Sequence, residues 1–151
     1  MIQTLIDRLI AWAKKTPYFD LYNPDGTLYM ERWWLSPRYK FGFAARIHKI
    51  HTSDLGRDYH DHPWAYLTII LDGGYYENKP VYDKSDLLIG VSRVWYGKGS
   101  ILLRSAKSIH RLEVIEGRPA TTLFITAPWQ QDWGFRTHLQ VKQHHKDYQG
   151  Y

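Results

Sequence analysis

The sequence predicts a mainly β protein, a sandwich or barrel of short strands preceded by one amphipathic helix. Segments of strand length, rich in β-branched and aromatic residues, alternate with turn signals at close spacing along most of the chain. Aromatic residues reach 16%, with 7 Trp and 12 Tyr, side chains that fill pleated surfaces and line pockets. Helical periodicity is confined to the first segment. At 151 residues and 44% apolar content, the chain suits one domain with a real core and is too apolar for disorder.

In the helix, Ile2, Leu5, Ile6, Leu9, Ile10 and Ala13 recur at helical spacing, while Asp7, Arg8, Lys14 and Lys15 avoid that face. Thr16-Pro17 stops it, because a residue before proline is pushed away from helical angles. Its expected role is structural, packed on its own barrel or on a twin subunit. Strands are expected at Tyr18–Tyr22 and Thr27–Trp33, flanking the turn Asn23-Pro24-Asp25-Gly26. Others follow at Phe41–Ile50, Pro63–Leu71, Tyr75–Asn78, Val91–Tyr96, Ser100–Arg104, Ile109–Ile115 and Thr121–Thr126. Asp72-Gly73-Gly74, Gly97-Lys98-Gly99 and Glu116-Gly117-Arg118-Pro119 break them apart. Lys79 to Gly90 reads as an extended loop. The expected organisation is a helix over 1–16, a barrel over 17–136, and a polar tail over 137–151, frayed or laid on the surface.

Composition removes several function classes. There is no cysteine, hence no disulfide, thiolate metal site or cysteine nucleophile. Apolar runs are far too short to span a bilayer, and no signal-peptide pattern opens the chain, so a cytoplasmic protein is expected. The net charge of +5 fits an anionic ligand, but no block of consecutive Lys/Arg marks a nucleic-acid arm. No Gly-x-Ser-x-Gly elbow, phosphate-binding loop or dinucleotide fingerprint appears.

The central motif is Gly56-Arg57-Asp58-Tyr59-His60-Asp61-His62-Pro63-Trp64. On a strand, His60 and His62 project from one face about 6 to 7 Å apart, a natural chelating pair. On a helix they would diverge by about 200°. Further on, Gly99 precedes His110, which opens the β-branched and apolar run Arg111 to Ile115. A strand, a short loop and a returning strand fit between them.

At this point the sequence resembles the cupin superfamily. Its first motif pairs two histidines with a glutamate and a turn glycine, positions held here by His60, His62, Tyr66 and Gly73. Its second motif runs from a glycine through a Pro-x-Gly loop to a third histidine, here Gly99, Ser105-Ala106-Lys107 and His110. The chain departs from it twice, at Tyr66 and at the lost Pro-x-Gly loop. It is also similar to small phage- and prophage-encoded cupin-like proteins. These share a His-Asp-His-Pro-Trp stretch, a Gly-Gly-Tyr turn (Gly73-Gly74-Tyr75), His-Arg-Leu-Glu (His110 to Glu113) and Trp-Gly-Phe (Trp133-Gly134-Phe135). The resemblance implies a cupin-type double-stranded β-helix, a jelly-roll barrel, with one divalent transition metal on His60, His62 and His110. Fe(II) stands first, with Mn, Ni, Co, Cu or Zn as alternatives.

Three imidazoles leave coordination positions open, the arrangement of a catalytic centre rather than a closed structural one. The pattern looks like that of three-histidine dioxygenase cupins, with Tyr66 as a hydrogen-bond donor or acid near substrate. Alternating parity would aim His60, His62, Trp64, Tyr66, Thr68 and Ile70 into the barrel. Arg46 and His48 share parity on their strand, and an inward Arg46 would want an anionic group on the ligand. Arg104 flanks the second motif, and Trp64 and Trp95 are candidate aromatic walls. No carboxylate stands out as a fourth ligand. Asp58 or Asp61 is expected to orient the histidines, Glu113 to face away, and Glu77 to have an inward option. The leading expectation is a metal-dependent enzyme acting on a small anionic molecule. The alternatives are a non-catalytic binding module for a sugar or nucleotide, and non-redox hydrolase or isomerase chemistry. A homodimer is expected, because Ala65, Leu67, Ile69 and Leu71 make a second apolar strand face that needs cover.

Overall fold

A computed structural model describes residues 2–16, 18–36, 42–56, 58–136 and 142–147. Pro17, Phe41 and Arg57, each part of a reading above, lie outside the described residues, as do 137–141 and 148–151 of the expected tail. The helix α1 spans Ile2–Ala13, as its periodicity predicts. Among the described residues twelve strands follow: β1 (Tyr18–Tyr22), β2 (Leu28–Trp34), β3 (Ala44–Ile50), β4 (Tyr59–His60), β5 (Tyr66–Asp72), β6 (Gly74–Tyr82), β7 (Leu88–Gly97), β8 (Ile101–Arg104), β9 (Arg111–Val114), β10 (Ala120–Thr126), β11 (Gly134–Arg136) and β12 (Lys142–His144).

All the pairings are antiparallel. One layer is the six-stranded sheet β1-β2-β3-β10-β5-β8. The other consists of β12-β11-β4 and β7-β6-β9, stitched together by a bridge between His60 and His110. Between the layers, Met30, Ile50, Ile70, Tyr75, Leu102, Val114 and Ala120 form a buried core. Short strands wound into two facing layers are the jelly-roll solution to burying one face of each sheet.

The outer face of the six-stranded sheet is apolar too, and α1 lies over part of it. Ala13, Trp33, Ile47 and Leu71 form a second buried cluster, with Ile6, Leu9, Ile69 and Leu123 packed against it. The helix thus supplies the cover that this strand face needs. No helix among the described residues is long and apolar enough to cross a membrane.

Two readings change. Lys79 to Gly90, expected as a loop, is mostly a long hairpin, with β6 running to Tyr82 and β7 starting at Leu88. Asp83 closes its turn by accepting from the Ser85 and Leu87 amides at 2.7 and 3.0 Å. Pro80 hid the strand, yet β9 pairs with β6 only from Tyr75 to Asn78, so Pro80 falls where one side of β6 is open. At the C-terminus, Lys142–His144 pairs with β11 and extends the smaller layer. Gly73, the motif glycine, has φ +66, and a Cβ there would lie 2.3 Å from the Pro119 carbonyl oxygen. That corner admits no side chain.

Ile47, fully buried between α1 and the sheet, gives a direct test of this packing. Ile47→Ala is expected to cost about 2–5 kcal/mol in urea unfolding. A cost below about 1 kcal/mol would mean that the helix does not seal this face.

Candidate metal centre

His60 and His110 face each other across the smaller layer. The His60 amide donates to the His110 carbonyl at 2.9 Å, and the His110 amide donates back at 3.0 Å. His62 follows just past β4, where its own amide donates to the Ala106 carbonyl at 3.1 Å and Gln131 donates to its carbonyl at 2.9 Å. The three rings stand 5.0 to 5.1 Å apart, centroid to centroid. One ring nitrogen from each lies within 4.8 Å of the others, the sole such cluster of potential ligands among the described residues. His62 Nε2 and His110 Nε2 approach to 2.8 Å.

Carboxylates stand behind two of the rings. Glu77 Oε1 lies 2.8 Å from His110 Nδ1. Burial opposes the Glu77 charge, but hydrogen bonds from His110 and Arg104 outweigh it and hold the pKa at about 2. An ionised carboxylate can only accept, so His110 Nδ1 carries a proton toward Glu77, and Nε2 is the ring nitrogen turned to the cluster. Arg104 grips Glu77 with two donors, at 3.1 and 2.5 Å. Behind His60, Asp54 Oδ2 lies 3.7 Å from Nδ1. Asp54 accepts in turn from the Leu112 amide at 2.7 Å and from the Tyr29 hydroxyl at 2.5 Å.

Metal ligation requires neutral imidazoles. Burial pushes His60 down to about 4, against the pull of Asp54, and pushes His62 well below the usual imidazole range with help from the nearby histidines. Donor type, convergence, tautomer and protonation state all fit a divalent transition metal. Trp133 and Phe135 pack beside His60 at 6.2 and 5.8 Å.

Tyr66 stands at the motif's glutamate position. Its hydroxyl lies 3.4 Å from His110 Nε2, and its ring packs on His62 at 4.5 Å. Burial, then the charge of Glu77, raises its pKa well above the usual phenol value. It is therefore a neutral donor at the edge of the cluster, not a base.

The cluster opens into a cavity of about 480 Å³, lined also by Arg32, Arg46, His48, Trp64, Thr68 and Phe124. The chain bends after His62, yet Trp64, Tyr66 and Thr68 still line the cavity, while Ile70 joins the core. Arg46, His48, Trp64 and Tyr66 thus share one space with the three histidines. Arg104 and Trp95 do not. Arg104 is committed to Glu77, and Trp95 is an exposed side chain packed on Tyr76 of the hairpin.

The carboxylates behind the rings are Glu77, which accepts from His110, and Asp54, which lies near His60, while Asp61 turns elsewhere. It accepts from the Gly134 amide at 2.8 Å and pairs with Lys142 at 2.7 Å, tying β4 to β11 and β12. Glu113 faces away, paired with Arg93 at 2.7 Å. Parity on β6 was the available signal for Glu77. Asp54 sits in an irregular segment that carries no period, so no pattern marked it.

The buried histidines set the acid stability of the metal-free protein. They are neutral when folded, whereas unfolded histidine takes up a proton near pH 6.5. Protons therefore favour the unfolded chain as pH falls from 6.5 through about 4, the range over which His60 loses stability. His60 alone is expected to cost about 2 kcal/mol by pH 5, at about 1.4 kcal/mol per unit. Glu77 adds to the loss only below pH 4.5. Chemical denaturation of chelator-treated protein at pH 7.5 and 5.0 measures this, and equal stability at both would refute neutral, buried histidines.

No known sequence family matches the chain, and no curated protein does. Solved structures do match. A cupin-2 domain protein from Rhodospirillum rubrum aligns with TM-score 0.60 at 12% identity, over 82% of this chain and 77% of its own. DMSP lyase DddQ from Ruegeria pomeroyi aligns with TM-score 0.58 at 16% identity, over 83% and 71%. HppE, solved as its Fe(II) form with the alternative substrate (S)-1-HPP, aligns with TM-score 0.56 at 12% identity over 76% of this chain. This chain spans only 57% of the HppE chain. At such identities the likeness is one of architecture, and with the two layers described above it identifies the chain as a protein of the cupin fold.

Proposed function

We propose that this protein is a metal-dependent cupin enzyme that holds one divalent transition metal on His60, His62 and His110 and acts on a small anionic molecule. The observation that carries this reading is the cluster itself. Three imidazole nitrogens converge at the wall of a cavity. Such a metal supplies open coordination positions and, in the case of iron, redox chemistry with dioxygen. A dioxygenase-type oxidation with Fe(II) is the favoured reaction, and the likeness to HppE supports iron. The protein's own groups prepare the site. Glu77 and Arg104 lock His110, Asp54 and Tyr29 brace His60, and Trp133 and Phe135 keep water from the His60 ring. Tyr66 keeps its proton and can donate a hydrogen bond to a bound substrate.

Tyr66 in the glutamate position favours a second reading, a binding module without turnover. The likeness to a lyase supports non-redox chemistry as a third. Metal content decides first. Untagged protein is expected to carry about one equivalent of metal by mass spectrometry, lost in folded His60→Ala and His110→Ala. Glu77→Gln should weaken binding roughly 10–100-fold, because the His110 tautomer is no longer held. Failure of the wild type to bind Fe, Mn, Ni, Co, Cu or Zn after reconstitution would overturn the enzyme reading.

We further propose that the working unit is a homodimer. β7 and β8 are edge strands of the two layers, and both expose apolar side chains. Ile101 and Leu103 are 68% and 75% exposed, with Leu88, Ile89 and Val91 open on β7. Light scattering should give twice the 17.9 kDa chain mass. Val91→Lys with Leu103→Lys should halve it, whereas a wild-type monomer at tens of micromolar would refute the dimer.

A further inference from the structure

Backbone pairing fixes His60 and His110 to each other, but His62 lies past the end of β4. Strand-like spacing brings it to the cluster, and a closed ring of hydrogen bonds keeps it there. The His62 amide donates to the Ala106 carbonyl at 3.1 Å. The side-chain amide of Gln131 donates to that same carbonyl at 2.9 Å and to the His62 carbonyl at 2.9 Å. One glutamine thus grips both sides of the joint between His62 and the turn after β8.

That turn is central to the site. The Ser108 amide closes it by donating to the Ser105 carbonyl at 3.0 Å, and it links Arg104, which holds Glu77, to His110. Whatever ties His62 to this turn therefore sets His62 against His110, whose Nε2 lies 2.8 Å from its own. The turn contains Ser105-Ala106-Lys107, the segment that stands in place of the Pro-x-Gly loop. Without proline or glycine it has less rigidity of its own, and Gln131 braces it from outside.

The glutamine is itself held. Asp61 Oδ2 accepts from Gln131 Nε2 at 3.2 Å, and the Gln130 and Gln131 backbone amides donate to the Pro63 carbonyl at 2.7 and 3.3 Å. Asp61 is 6% exposed and is fixed in turn by the Gly134 amide and Lys142. All three partners of Gln131 Nε2 are acceptors, so only a donor fits there. Gln131 does not line the cavity, so it acts through His62.

We propose that Gln131 is a positioning residue for His62, locking its backbone to the 105–108 turn and hence to His110. That this serves a metal rests on the reading above; the fixing of His62 does not.

Hydrogen exchange on the chelator-treated full chain tests the clamp without metal. In the wild type, the Gln131 side-chain amide is expected to exchange about tenfold slower than that of the exposed Gln130. Gln131→Glu keeps the shape of the side chain but removes both donors, and Gln131→Ala removes the contact outright. In each folded variant the His62 amide is expected to exchange about tenfold faster, while the His60 and His110 amides keep their rates. Cobalt(II) affinity should fall roughly 10–100-fold in both variants. Ile47→Ala, which weakens the fold away from the centre, should leave cobalt affinity unchanged. A Gln131 amide that exchanges as fast as that of Gln130 would overturn the proposal in the wild type alone. An unchanged His62 rate, or unchanged cobalt affinity, in a folded Gln131 variant would overturn it as well. Equal cobalt loss in Ile47→Ala would reduce the effect to stability and overturn it too. A responsive His62 amide in a protein that binds no cobalt would sink the metal reading and leave the clamp standing.

Discussion

Two backbone hydrogen bonds between His60 and His110 hold the site together, and much of the fold is arranged around them. They join β4 to the His110 end of β9, making one layer of two three-stranded sheets. Because the bonded residues carry two of the three clustered imidazoles, sheet closure and assembly of the cluster are one event. His62 needs only strand-like spacing to arrive beside them. β6 pairs with β9, which brings Glu77 within reach of His110. The buried carboxylate is tolerated because Arg104 and His110 both donate to it. Removing any member would leave a buried charge exposed to low dielectric, which is why such networks hold geometry so firmly.

The cavity has two walls of opposite character. The smaller layer brings nitrogen lone pairs, which must be uncharged to be useful, and burial enforces that on His60 and His62. The larger layer brings fixed positive charge on Arg32 and Arg46, packed among rings that also exclude water. The same field keeps His48 neutral.

Much of this was legible in the chain because it depends on short-range pattern. The helix announced itself by its apolar stripe and its stop at Thr16-Pro17. The histidine pair was readable because a period of two has one structural meaning on a strand. Longer-range facts were less accessible. Lys79 to Gly90 reads as a loop in sequence, and only the pairing of β6 with β7 shows it to be most of a hairpin. Arg104 looked like a ligand group because nothing in sequence ties it to Glu77, a contact made across the barrel. Asp54 braces His60 from an irregular stretch where no periodicity could single it out.

Tyr66 links these observations. A glutamate at this position would bring a negative charge to the metal site. The phenol, buried and held well above its usual pKa, brings none. Three imidazoles and a neutral phenol would bring no negative charge into contact with a divalent ion. The carboxylates nearest the cluster, Glu77 and Asp54, stand instead behind the His110 and His60 rings. The departure from the cupin pattern at Tyr66 therefore moves the protein's negative charge from the edge of the cluster to its back, where it acts on the rings rather than on an ion.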